Sequence, residues 1–235
     1  MENINIDVGI QKVKLISYSK PFIEMEGVRD AKDLIAYCAR VSNPSNQTNK
    51  KTAEKLLRYL IKHKHWSPFE MVSACLEIET TRDIARQILR HRSFSFQEFS
   101  QRYADPTDDL SFTTRECRLQ DDKNRQNSID IEDDPSIQDD KGKQELIANW
   151  QRRQHGIINQ AKEAYKWAID HGIAKEQARA VLPEGLTISR IYMNGTLRSW
   201  IHFIELRSGN GTQKEHRKIA LACAEVISNI FPNMR

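Results

Sequence analysis

The stretch Arg90-His91-Arg92, followed by Ser93-Phe94-Ser95-Phe96-Gln97-Glu98-Phe99-Ser100-Gln101-Arg102, concentrates cationic, hydroxyl, amide and aromatic groups in thirteen residues. Upstream, Arg82 and Arg86 precede Arg90 at intervals of four. On a helix these three would share one face, where like charges oppose one another by ~0.2–0.5 kcal/mol per pair. Asp83 is the only nearby carboxylate in the sequence and would point elsewhere. A solvated cationic face is one reading. An anion site is the other, because guanidinium forks match phosphate oxygens. Gln87, one turn before His91, could read an amide edge with both donor and acceptor. The aromatics interleaved with Glu98, Ser100 and Arg102 suit the wall of a pocket for a planar polar ring. Ser100 lacks a Ser-His-Asp context, so its spacing does not make it a nucleophile.

The elements that must position these groups follow from periodicity. Val13–Phe22 alternates weakly and reads as a strand. Asp30 is a plausible cap for a helix through "DAKDLIAYCARVS", and residues 43–49 read as a loop. Ala53, Leu56, Leu57, Leu60 and Ile61 form one apolar helical stripe, which Pro68 closes. Met71–Thr80 reads as a strand, and Thr81 as the cap of a helix burying Ile84, Ala85, Ile88 and Leu89. A long helix is expected from about 144 to 171, with Trp150, Ile157, Ile158, Ala161, Tyr165 and Ala168 as its stripe. A short helix over "KEQARAVLP", a strand over "LTISRIYMNG" and two closing helices complete the chain. The class is α/β or α+β, helix-rich with a small mixed or antiparallel sheet. All 235 residues form one domain.

Net charge is +4, unevenly spread: residues 104–145 carry −7 and the remainder +11. The acidic segment, about 105–142, has little periodicity and reads as a long, partly mobile insertion. The basic remainder suits phosphorylated metabolites, nucleic acid or an acidic partner. Cys38, Cys75, Cys117 and Cys223 are far apart and form no CxxC, against a zinc ribbon or a disulfide scaffold. Cys38, Cys75 and Cys223 read as small core residues. No apolar run approaches a membrane span, and no signal peptide is expected. A cytoplasmic location is the simplest expectation. His63 and His65 lack further ligands at metal spacing, so no metal is expected. His155, His171 and His216 read as surface residues at helix ends.

The pattern Arg90-His91-Arg92, seven residues, Ser100, one residue, Arg102 resembles the signature of flavin-dependent thymidylate synthases. "HWSPFE" (His65 to Glu70), "EQARAVLP" (Glu176 to Pro183) and "LRSWIHFIELR" (Leu197 to Arg207) are similar to further segments of that family, in the same order. The resemblance runs from about Ala39 to Phe231. It implies reductive methylation of dUMP to dTMP, with methylene-tetrahydrofolate as carbon donor and NADPH-reduced FAD as hydride source. No cysteine nucleophile is needed. It also implies a homotetramer with active sites at subunit interfaces.

By matched position, the resemblance assigns Ser67, Arg90, His91, Arg92, Glu98, Thr196, Leu197, Arg198 and His202 to FAD. It assigns Gln87, Arg90, Glu98, Ser100, Gln101, Arg102, Arg179 and Arg207 to dUMP. Arg207 would favour ionisation of the uracil ring, and His65 matches a position important for the folate or reduction steps. Thr196 stands where many members carry Asn, and Gly211 where some carry His. Independently of the resemblance, Arg198, His202 and Glu205 share one polar helical stripe, with Trp200, Phe203 and Ile204 free to face a core. A nucleic-acid-binding module would explain the basic charge but not these matched segments. A structural oligomer that keeps the fold without turnover is the third reading. We expect neither nucleic acid nor membrane as partner.

Overall fold

The computed structural model describes residues 5–8, 11–22, 28–108, 110–133 and 139–231. Five antiparallel strands form the main sheet: β1 (Asn5–Val8), β2 (Gln11–Tyr18), β3 (Ser73–Thr81), β4 (Ser95–Glu98) and, last in the chain, β7 (Ile188–Thr196). Their order is β1-β2-β3-β7-β4. β3 and β7 pair over their full lengths, from Ser73↔Thr196 to Thr81↔Ile188. Alternation sorts the two faces. Ala74, Leu76, Ile78 and Thr80 of β3 and Ile191 and Met193 of β7 are buried. The opposite face is polar, with Arg190 on Glu79 and Tyr192 donating to Glu77.

The apolar face is covered by α3 (Arg82–Ile88), α6 (Leu197–Arg207) and α7 (Lys214–Ile230), with α1 (Ala31–Ala39) and α2 (Ala53–Lys62) joining the same core. Trp200, Phe203, Phe231, Phe69 and Ile35 are its largest fully buried side chains outside the strands. Asp30 caps α1 by accepting from Asp33 N–H, as its sequence position requires. Thr81 occupies the cap position of α3 but gives no side-chain cap. Its hydroxyl donates to Asp83 instead, and Arg115 donates to it.

α3 follows the end of β3 and α6 the end of β7, and these two strands are antiparallel. The helices therefore enter from opposite ends of the sheet and run back toward one another. Their C-terminal ends meet over the core, where helix dipoles favour positive charge. α3 stops at Ile88, so Arg90 lies beyond the helix rather than on one face with Arg82 and Arg86. The turn to β4 is fixed by Phe94, which packs edge-on to Trp200 at 4.8 Å. It lies so close to β7 that a Cβ on Gly195 would come within 2.4 Å of its ring. Only glycine allows that approach.

The described part of the acidic segment carries regular structure that its composition does not suggest. It contains the hairpin β5 (Arg118–Gln120) and β6 (Ser128–Asp130), and α4 (Asp140–Asp170) begins inside its expected span. It is tied down by charge and amide pairing rather than by a large apolar core. Gln154 of α4 brackets Arg115 by accepting from its N–H and donating to its carbonyl. Lys214 donates to Asp130, and Lys218 to Glu116. A small second core joins Tyr165, Ala168, Ala178 and Leu182 across α4 and the short α5 (Lys175–Ala178). Ile158 and Ala161 are buried as expected, but Trp150 and Ile157 are 40% and 49% exposed. Gln154 takes the inward place expected of Ile157, because the buried stripe runs 154, 158, 161, 165, 168.

Candidate active site

Where α3 and α6 meet, Arg207 Nε donates to His91 Nε2 at 2.9 Å. His91 must then carry its proton on Nδ1 when neutral. Its ring stands edge-on to Phe203 at 4.9 Å and to His216 at 6.2 Å. Burial, then the charges of Arg207 and Arg90, push the His91 pKa down to about 4. His216 is fully buried, not a surface residue at a helix end. Burial, then Arg207 and His91, push it down to about 3. Both imidazoles are therefore neutral near pH 7, and they leave the guanidinium of Arg207 without an opposing charge. Among the described residues, no ion pair involves Arg90, Arg92 or Arg207.

One turn back along α3 the charges are balanced. Glu98 lies 3.7 Å from both Arg82 Nη1 and Arg86 Nη1, and Glu184 lies 3.3 Å from Arg82 Nε. Asp83 is not their partner; it pairs with Arg115 at 2.6 Å. Arg82, Arg86, Gln101, Glu176, Arg179 and Glu184, with Ala180 and Leu182, line a cavity of about 390 Å³. Arg82 Nη1 and Gln101 Nε2 are buried there without a hydrogen-bond partner. Unpaired buried donors of this kind call for an acceptor-rich ligand. Arg102 reaches Glu176 at 3.4 Å, and Arg179 donates to the Glu176 carbonyl. Ser100 caps the following turn, its carbonyl accepting from Tyr103 and Ala104 N–H.

A third group sits at the N-terminal end of α6. Arg198 pairs with Glu70 at 2.7 Å, and the exposed His202 stands edge-on to Trp66 at 4.9 Å. Ser67 is exposed at the start of a 3-10 turn, Ser67–Glu70. Thr196 caps α6, its Oγ1 accepting from Ser199 N–H at 3.3 Å. Leu197 departs from its expected place: its side chain is fully buried and its N–H is spent on the Val72 carbonyl. It packs the core beneath the site. His65 is exposed, set by the end of α2, where Lys64 adopts φ 57° and His65 N–H returns to the Leu60 carbonyl.

Three contributors lie in the family-like stretch "NGTQKEH" but take no role from the sequence: Gln213, Glu215 and His216, all at the start of α7. Gln87 donates to Gln213 at 2.8 Å, and His216 contacts the other end of the same amide at 3.2 Å. A signal for His216 was present, since 216, 219, 223, 226 and 230 follow helical spacing on the buried face. The cysteines stand apart from this chemistry. All four thiols are free, and burial raises the pKa of each. Cys223 is fully buried as expected, whereas Cys38 and Cys75 are only partly so.

The fold and these groups define an α/β protein that gathers arginines and unpaired buried donors beside the helical face of an antiparallel sheet. The family model described as "Thymidylate synthase complementing protein" matches residues 23–233. A probable flavin-dependent thymidylate synthase of Paramecium bursaria Chlorella virus 1 is 51% identical over 223 residues, covering 94% of this chain and 95% of that protein. The flavin-dependent thymidylate synthase of Synechocystis sp. is 46% identical over 224 residues, covering 94% and 96%. The chain belongs to the flavin-dependent thymidylate synthase family. Its fold also matches a crystal structure of the UMP/dUMP methylase PolB from Streptomyces cacaoi, bound with 5-Br dUMP. The TM-score is 0.71 at 24% identity, covering 94% of this chain and 90% of the other.

Proposed function

We propose that this chain methylates dUMP reductively to dTMP, with methylene-tetrahydrofolate as carbon donor and NADPH as reductant. Bound FAD supplies the hydride. The observation that carries the reading is Arg207, a cation held by a neutral histidine between the ends of two helices. A guanidinium keeps its charge at any working pH, so it can bind the uracil and stabilise the anion formed when a ring nitrogen ionises. His91 holds Nε of that guanidinium without cancelling its charge.

The residues present fit FAD. Arg90 and Arg92 are exposed on the turn after α3, outside every ion pair among the described residues, and suit a pyrophosphate. Ser67, Arg198 and His202 would extend that surface, with Glu98 between the two ligands. Gln87, Arg90, Ser100, Gln101, Arg102 and Arg179 would hold the nucleotide, and the orphaned donors of Arg82 and Gln101 favour that side for its acceptor-rich groups. His65 would serve the folate or reduction step.

A homotetramer with shared sites is part of the same reading. In its support, an apolar groove of about 430 Å³ between α2, α6 and α7 exposes Leu221 beside Ile201 and Ile204. Trp150, Ile157 and Trp167 are exposed along α4. No described helix is long and apolar enough to cross a membrane.

The test is the visible spectrum of the purified protein after FAD is added and excess removed. A bound-flavin spectrum bleached by NADPH and altered by dUMP is expected. Protein that cannot retain FAD would overturn the reading.

A further inference from the structure

Gln87 is held at both ends of its amide. Its Nε2 donates to Gln213 Oε1 at 2.8 Å, and its Oε1 meets His216 Nδ1 at 3.2 Å. Gln213 Nε2 in turn donates to Glu215 Oε2 at 3.0 Å. The direction of this chain is not free. An ionised carboxylate can only accept. Burial opposes ionisation of Glu215, but the hydrogen bond from Arg118 and the charge of Arg115 outweigh it and hold its pKa low.

The amide nitrogen of Gln213 must therefore face Glu215, and its oxygen must face Gln87. Gln87 must then turn its nitrogen to Gln213 and its oxygen to His216. His216 must carry its proton on Nδ1 to complete the chain. Reversing any one member sets two acceptors or two donors against each other in a partly buried place, which leaves polar groups unpaired.

We propose that Glu215, acting through Gln213, is a positioning residue for substrate recognition: it fixes which end of the Gln87 amide is offered to the nucleotide. The inference rests on the reading that Gln87 contacts dUMP. With the chain set, Gln87 presents its second Nε2–H and the remaining lone pair of Oε1 in one orientation. Glu215 is itself gripped by Arg118 on β5 and by Arg115, whose Nη1 lies 3.4 Å away. The acidic insertion thus helps to build the nucleotide site through Glu215. Its two arginines hold the carboxylate that sets the polarity.

The test compares Gln87→Ala, Gln213→Met, Glu215→Gln and the double variant Gln87→Ala/Gln213→Met, each as FAD-loaded enzyme. The Kd for dUMP by calorimetry, kcat, flavin content and Tm are measured. Gln213→Met is expected to weaken dUMP binding about 3–10-fold, the equivalent of one neutral hydrogen bond. Flavin content and kcat at saturating dUMP should stay near wild type. Glu215→Gln keeps the shape but can present either a donor or an acceptor, so it should weaken dUMP binding in the same direction. In the Gln87→Ala background the Gln213→Met effect should vanish, because neighbours acting through one partner are not additive. An unchanged Kd in Gln213→Met, or an equal loss in both backgrounds, would overturn the positioning role while leaving the dUMP reading intact. An unchanged Kd in Gln87→Ala would instead remove the reading on which the inference stands. Should Glu215→Gln fail to fold, Gln213→Met alone decides, since that side chain is only half-buried.

Discussion

The two ends of one arginine-rich stretch are built on opposite principles. At Arg82 and Arg86 every cation has a carboxylate: Glu98 and Glu184 lie within 3.7 Å. At Arg90 and Arg207 the neighbours are histidines kept neutral by burial and by the arginines themselves, and Arg92 joins no ion pair among the described residues. The first arrangement is balanced in charge within the protein, although Arg82 Nη1 still lacks a hydrogen bond, and it lines a cavity. The second leaves positive charge that no carboxylate among the described residues opposes, as the proposed anion site requires. Desolvation explains the difference. Arg82 is 8% exposed and would be costly to bury unpaired, whereas Arg90 and Arg92 remain in solvent and can wait.

The largest effect should come from the uncompensated end. Arg207→Ala is expected to lower kcat by about 10²–10³, the scale for losing one stabiliser of a developing anion. The fold and much of the added flavin's binding should survive. Normal dTMP formation by a folded Arg207→Ala protein would remove the assigned role.

Stability should follow the opposite pattern. Arg82→Ala leaves Glu98 short of a partner and is expected to cost about 3 kcal/mol in urea unfolding. Arg92→Ala should stay within about 0.5 kcal/mol, because it breaks no ion pair, but should weaken retention of FAD. Equal losses of stability in the two variants would erase the distinction drawn here.

Acid should separate the regions by pH window. His91 and His216 have folded pKa values below their unfolded value of about 6.5, so the unfolded chain binds more protons as pH falls. Stability is therefore lost from about pH 6.5 downward, by up to about 1.4 kcal/mol per pH unit for each histidine. The loss levels off near pH 4 for His91 and near pH 3 for His216. Burial raises the pKa of Glu116, but hydrogen bonds and charge from Lys214 and Lys218 outweigh it and bring it to about 2. Its contribution is present above its unfolded pKa of about 4.3 and is lost below that. Thermal melts of wild type and His216→Asn between pH 7 and 4 check this; a variant curve as steep as wild type would count against a neutral buried His216.

The smallest effect should fall on the thiols. Replacing Cys38, Cys75, Cys117 and Cys223 together by Ala should leave turnover intact, with only a modest loss of Tm from the buried Cys223. Loss of turnover in a well-folded variant would bring back a cysteine nucleophile and place the chemistry outside the arginine site.

Local signals located most elements. Asp30 before "AKDLIAYCA" gave a true cap, and the alternation in "SACLEIETT" gave the strand that organises the sheet. The resemblance assigns His91 to FAD and Arg207 to dUMP without linking them, and a hydrogen bond joins the two across 116 positions. Order in the described part of the insertion comes from long-range pairs such as Arg118–Glu215 and Lys214–Asp130, which composition cannot show. Leu197 was misplaced because a helix-start residue can face either ligand or core, and only packing under β3 and β7 decided which.

By itself, the sequence determined the helix-rich class, the family signature and the concentration of positive charge near Arg90. Those properties depend on residue types and short spacings, and they survive in an unfolded chain. The tertiary structure alone decided which arginines are neutralised, which histidines are stripped of charge, and which way the Gln87 amide points. Each of those depends on what an opposing element places within about 4 Å, the range at which charges and hydrogen bonds inside a protein outweigh water.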